Sequence, residues 1–214
     1  MKLMMLGPPG VGKGTQGVML SAALKVPTIS TGQIIREFVD AGHPKSKELL
    51  AVISAGKLVE DELMIEIIKF RLAKADCANG YILDGFPRTV NQAEALVALG
   101  ESLDFVFNLV LSDEAIIDRL SGRLYHPGSG RVYHKEFNPP KDSMVDDVTG
   151  EALVVRPDDH PSAIKQRLAL FRAETSPLID FYQHVDQNAC KHFIEIDSAG
   201  DVASIQSSLL AHIQ

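Results

Sequence analysis

Cysteine is scarce in this chain: Cys77 and Cys190 are the only two among 214 residues. Two thiols cannot build a disulfide scaffold, and they form no metal-type spacing. Both read as ordinary buried thiols, in keeping with a reducing compartment. Long apolar runs are missing too. No stretch approaches the roughly 18 uninterrupted apolar residues of a membrane span. The N-terminal run Met1 to Leu6 ends at Gly7-Pro8-Pro9-Gly10, before the apolar region of a signal peptide develops, so it reads as a strand. A soluble, cytoplasmic protein without a membrane partner is expected. Positive charge is not in excess either, since 21 Lys and Arg face 28 Asp and Glu for a formal net charge of −7. A general nucleic-acid binder needs a basic face, often with interleaved aromatics, so nucleic acid is not an expected partner. An anionic ligand must therefore be met by positive charge gathered locally. Internal repeats and low-complexity tracts are also missing.

What remains is average for a globular chain, with 45% hydrophobic and 23% charged residues and length for one core domain carrying insertions. Short apolar runs at Leu3 to Leu6, Thr28 to Ile29, Tyr81 to Leu83, Phe105 to Leu111 and His192 to Ile196 read as buried strands, each followed by a helical pattern. That alternation predicts an α/β fold with a parallel sheet covered by helices on both faces. Ser30 with Gln33 and Thr89 with Gln92 have capping-box spacing, Asp61 precedes another apolar-periodic run, and Gly42 and Gly56 mark stops. Two segments break the rhythm. The first, roughly Ser30 to Val59, is helical. Gly122 to Asp159 combines Pro127, Gly128, Gly130, Pro139, Pro140 and Gly150 with short β-type pieces at Arg131 to His134 and Ala152 to Val155. A loop that long in a compact domain is usually functional, often as a lid.

Gly7-Pro8-Pro9-Gly10-Val11-Gly12-Lys13 matches the phosphate-loop pattern of Gly, four residues, Gly-Lys, and it lies between a strand and a helix. Glycines let backbone N–H groups turn inward around phosphate oxygens, the helix N-terminus adds its dipole, and Lys13 adds a mobile point charge. The usual Ser or Thr after the lysine is Gly14, with Thr15 one place later.

Gly12-Lys13-Gly14-Thr15, Ser30-Thr31-Gly32 with Arg36, Asp84-Gly85-Phe86-Pro87-Arg88 with Gln92, and Gly122-Arg123 together resemble the adenylate kinases, from about Met1 through Gln183. The resemblance implies a P-loop three-layer α/β/α core with a five-stranded parallel sheet, a helical AMP-binding insertion and a small β-rich lid like that of the bacterial long forms. The implied division is a core of residues 1–29, 60–121 and 160–214, a flap of 30–59 and a lid of 122–159. The implied reaction is reversible, ATP + AMP = 2 ADP, with Mg²⁺ accompanying ATP, and the implied enzyme is a monomer that maintains adenine nucleotide balance.

The resemblance also implies roles. Gly10, Val11, Gly12, Lys13, Gly14 and Thr15 would cradle the ATP phosphates. Arg119 would lie against the ATP adenine, Val132 and Tyr133 would cover that base, and Gly200 would touch ATP through its backbone. Thr31, Arg36, the backbone of Lys57, Leu58 and Val59, the turn Gly85, Phe86, Pro87 and Arg88, and Gln92 would hold AMP. Arg123 would contact the ATP phosphates, and Arg156 and Arg167 would bridge both substrates. With Lys13 and Arg88, these three are the catalytic set. Asp84, which ends a buried strand beside the phosphate loop, is assigned to Mg²⁺ through water. Gln92 has two readings: it reads the adenine edge, or it closes a capping box on Thr89. Where the family has Thr-Gly-Asp, this chain has Thr31-Gly32-Gln33, one carboxylate fewer near the acceptor.

These residue types suit phosphoryl transfer on chemical grounds. A loose, in-line transition state asks for positioning, charge neutralisation and water exclusion, which planar, multidentate arginines supply. Some relatives carry four zinc-binding cysteines in the lid. Here the corresponding positions are His126, Ser129, Asp146 and Thr149, and hydroxyls are poor structural zinc ligands beside thiolates, so no zinc is expected. Three alternatives stand beside this reading. A kinase for UMP, CMP or GMP is disfavoured by the long lid, Thr31 and Gln92. A GTP-binding switch would need an Asn-Lys-x-Asp motif, which the sequence lacks. A nucleic-acid ATPase is disfavoured by the acidic charge.

Overall fold

The computed structural model describes residues 1–40, 42, 46, 49, 59–184 and 189–213. Five parallel strands form the central sheet: β1 (Lys2–Leu6), β2 (Thr28–Ser30), β3 (Tyr81–Asp84), β4 (Leu103–Val110) and β7 (Cys190–Asp197), in the order β2-β3-β1-β4-β7. All five predicted strands are present. The fourth begins two residues earlier than its apolar run, because Asp104 sits at the sheet margin, accepting from Lys2 N and Lys191 Nζ.

Continuous apolar strands are what a sheet buried on both faces requires. Met4, Leu6, Leu83 and Val106 face one side, packed by α2 (Thr31–Asp40), α3 (Asp61–Leu72), α4 (Val90–Ala98) and α7 (Pro177–His184). Leu3, Met5, Ile82 and Phe107 face the other, covered by α1 (Lys13–Leu24) and α8 (Val202–Ile213). A third cluster joins Ile116 and Leu120 of α5 (Asp113–Ser121) to Ile164 and Leu168 of α6 (Pro161–Leu170). Among the described residues, no helix is long and apolar enough to cross a membrane. Both cysteines are free and buried.

Because the strands run parallel, the turns leaving them gather at one edge of the sheet, where α/β folds bind ligands. The loop after β1, Thr31 after β2, Gly85 after β3 and Ser198 after β7 all lie there. Residues 123–155 depart from this layer. β5 (Arg123–Tyr125) pairs antiparallel with β6 (Val132–His134), bridges link Tyr125 to Val154 and Val145 to Ala152, and Leu124, Tyr133 and Leu153 form a separate small core. The β-type pieces read at 131–134 and 152–155 are these strand and bridge residues.

Candidate active site

The loop after β1 closes tightly on the sheet. Gly7 has φ 132°, and a Cβ there would lie 2.4 Å from the carbonyl oxygen of Leu109, so no larger residue fits without displacing β4. Gly12 (φ 108°) is the N-cap of α1, with no side-chain cap and no acidic residue in the first turn. The first N–H groups of α1 thus keep their donors, and the dipole end is unneutralised, which is what an anionic oxygen needs. Lys13 Nζ donates to the carbonyls of Gly7 (2.7 Å) and Pro8 (2.8 Å). Crowding by protein pushes its ammonium down to about 8, with Asp84 opposing that and Arg88, Arg167 and Arg123 adding to it. Three arginines remote in sequence therefore converge on one lysine.

Asp84 ends β3 between Met5 and Ser30, and a methyl built on Gly14 would lie 3.5 Å from its Oδ2. Burial raises its pKa, while Lys13 and Arg88 hold it partly down. Gly85 follows with φ 83°, and a Cβ there would come within 2.6 Å of Thr31 Oγ1. That hydroxyl donates to the Gly85 carbonyl at 3.0 Å, and Arg88 Nε donates to the same carbonyl at 2.9 Å. Thr31 and Arg88 are so tied to one turn by their shared acceptor, the Gly85 carbonyl. Burial lowers Arg88, with Asp84 and Arg167 as its charged neighbours.

Asp159, on the short turn Pro157–Asp159, holds two arginines. Its buried carboxylate accepts from Arg123 Nε (2.7 Å) and from another Arg123 nitrogen (2.5 Å), and it lies 3.4 Å from Arg167. Asp158 pairs with Arg167 at 2.9 Å through its carboxylate, and its backbone carbonyl accepts from the same guanidinium at 3.2 Å. Arg156 stacks 3.9 Å above the Tyr125 ring. Sequence reading missed the Asp158-Asp159 pair. Its only signal was an acidic doublet placed just after Arg156 and ahead of Arg167. Arg119 reaches across the cleft, donating to the carbonyls of Ser198 (2.6 Å) and Gly200 (3.3 Å) and to that of Val11 (3.4 Å). Gly200 and the phosphate loop are thereby joined through one guanidinium.

In the antiparallel hairpin, Val132 is exposed, but the Tyr133 ring turns inward, its hydroxyl donating to Asp146 (3.0 Å). Any cover that position 133 gives a ligand comes from its main chain. His134 stacks on Phe137, and its Nδ1 accepts two backbone N–H groups, so it packs. His126, Ser129, Asp146 and Thr149 form one hydrogen-bonded set: His126 Nδ1 to Ser129 Oγ 2.7 Å, Thr149 Oγ1 to Asp146 Oδ2 2.9 Å and to His126 Nε2 3.4 Å. Asp146 also takes both Arg131 donors at 2.7 and 2.6 Å, and the pair holds its pKa far below the usual carboxylate range. A depressed carboxylate stabilises only while ionised. That contribution is complete above about pH 4 and is lost as pH falls through the lower folded value. Asp146→Ala is expected to raise proteolytic cleavage within residues 127–150 by about tenfold, because cleavage follows the population of the opened segment. Unchanged cleavage would show that this network does not hold the hairpin.

Gln92 is buried and its backbone N–H caps on Thr89 Oγ1, but its side chain bonds Arg88 N and Asp61 instead of closing a capping box on Thr89 N. Val59 is partly buried against the core. The side chains of Gln33 and Arg36, and Gly56, Lys57 and Leu58 altogether, lie outside the described residues. Compared with known protein families, residues 5–187 match the family model described as adenylate kinase.

Proposed function

This chain belongs to the adenylate kinase family, and from that premise we propose how its crevice works. It is a nucleoside monophosphate kinase, a phosphotransferase that passes a phosphoryl group between adenine nucleotides. The observation that carries the residue-level reading is the gathering of Lys13, Arg88, Arg123 and Arg167 beside the uncapped start of α1, opposite Asp84.

In this reading ATP lies along the phosphate loop, its phosphates on the N–H groups from Gly10 to Thr15 and on Lys13. Its base lies between Arg119 and the lid residues Val132 and Tyr133, beside Gly200. AMP sits across from it, held by Thr31, Arg36, residues 57–59, the 85–88 turn and Gln92. Arg88, Arg123, Arg156 and Arg167 face the group in flight. Their donors are fixed before substrate arrives, so little reorganisation is needed as charge spreads over the equatorial oxygens. The acceptor phosphate is already ionised near neutral pH, so no general base is required. Asp84 suits Mg²⁺ because a lone carboxylate beside phosphate oxygens matches an ion that keeps several waters, and the ion would neutralise phosphate charge there.

Residues 122–159 act as the lid and 30–59 as the AMP flap, with the hydrogen-bonded set around Asp146 holding the lid together. Support for the first comes from its separate sheet and small core. By the family likeness the reading extends to a monomeric, cytoplasmic enzyme. Purified protein with Mg·ATP is expected to phosphorylate AMP about 10²-fold faster or more, in kcat/KM, than CMP, UMP or GMP, the margin that a polar base-reading site can provide. Equal rates on all four would sink the AMP assignment.

A further inference from the structure

Both ends of the buried Gln92 amide are occupied. Its Oε1 accepts the backbone N–H of Arg88 at 2.7 Å, and its Nε2 donates to Asp61 Oδ1 at 2.7 Å. A peptide N–H can only donate and an ionised carboxylate can only accept, so the amide has one orientation. Asp61 Oδ2 accepts from Thr89 Oγ1 at 2.8 Å, and that oxygen accepts Gln92 N–H at 3.2 Å. Asp61, the first residue of α3, thus closes a ring around both the side chain and the backbone of Gln92. One N–H and one lone pair remain on the amide, each on a determined side.

We propose that Asp61 is a specificity-determining positioning residue, which locks the Gln92 amide in the orientation that reads adenine and rejects 6-oxopurines in the acceptor. The inference rests on the assignment of Gln92 to the acceptor base. Adenine presents an N6–H donor beside the N1 acceptor. A 6-oxopurine presents the reverse, an O6 acceptor beside an N1–H donor. An amide free to turn about its Cγ–Cδ bond serves either pattern. A locked one meets the wrong base donor to donor and acceptor to acceptor, which is discrimination by repulsion as well as by fit. Releasing the Asp61 end leaves Arg88 N–H as the one group of this pair that opposes a flipped amide.

The test compares AMP with inosine monophosphate, which reverses those two positions and changes little else. In the Asp61→Ala enzyme the AMP to inosine monophosphate ratio of kcat/KM is expected to fall about tenfold or more, the scale of an unpaired buried polar group. A residue that merely ties α3 to α4 would lower both rates together and leave the ratio unmoved. Asp61→Ser, which keeps a good helix-start residue with its oxygen drawn back from Nε2, supplies the same readout if the alanine variant does not fold. Gln92→Ala separates the two layers. If it lowers the ratio while both Asp61 variants keep it, the role of Asp61 is overturned and the placement of Gln92 stands. If Gln92→Ala leaves the ratio intact, the placement itself fails and the inference falls with it.

Discussion

Arg88→Ala is expected to keep nucleotide binding and to lose phosphoryl transfer by about three to five powers of ten, the scale for removing an arginine that acts on the transferring group. In barrier terms that is about 4–7 kcal/mol. Nε of Arg88 is anchored to the Gly85 carbonyl and one terminal nitrogen lies 3.5 Å from Thr31 Oγ1, leaving the remaining donors for a ligand. The guanidinium stands between Asp84 and Arg167 and is desolvated there. A donor held still in a low-dielectric crevice is worth most where charge is developing, so its loss should appear in kcat and little in affinity. Calorimetric Kd values beside steady-state kcat check this. Near-normal turnover would show that the role is misplaced.

Lys13→Met is the second large loss, with kcat/KM expected to drop about 10²–10³-fold or more, as when a preorganised electrostatic group is removed. Here affinity should suffer as well, since a point charge on the phosphates acts in the ground state and in the transition state alike. In the free enzyme Lys13 spends its protons on the carbonyls of Gly7 and Pro8, so phosphate binding exchanges two neutral acceptors for anionic ones. The wild type carries a pH signature of the same group. Its ammonium is pushed down to about 8, so the charge is present below that pH and disappears above it. ATP affinity should be level up to about pH 8 and then weaken by at most tenfold per unit. Folding runs the other way. The folded pKa lies below the unfolded one, so the unfolded chain binds more protons between the two values and stability rises with pH across that window. In Lys13→Met both the bend in affinity and the stability term should vanish.

Apolar runs were enough for the five strands because the inner ones are buried on both faces, which leaves nearly uninterrupted apolar stretches, while the edge strands Thr28–Ser30 and Cys190–Asp197 keep only a few buried residues. The phosphate loop was equally legible, since Gly7 and Gly12 hold backbone angles that few other residues tolerate. The β-type pieces at 131–134 and 152–155 were legible for a similar local reason, β-branched and aromatic residues bounded by Gly and Pro. The capping pair Thr89 and Gln92 was half legible. Its backbone cap is local, whereas the amide's partners are set by Asp61, which lies in another helix. Nor did local pattern show that the Tyr133 ring faces inward, because the carboxylate that draws its hydroxyl is Asp146, 13 residues on.

The identity of the charged groups was thus settled in one dimension, and their use was not. Lys13, Arg88 and Arg123 are conspicuous as basic residues in glycine-containing motifs, and Arg167 follows in a helical run, but charge in a sequence has no direction. Only the fold turns the strand ends to one edge, brings the charges of Arg88, Arg123 and Arg167 to bear on Lys13, and pairs Arg123 and Arg167 with the buried Asp159. Short-range sterics and hydrophobic periodicity act between neighbours along the chain and can be read there. Electrostatic partnership acts through space, so it waited for the tertiary structure to decide it.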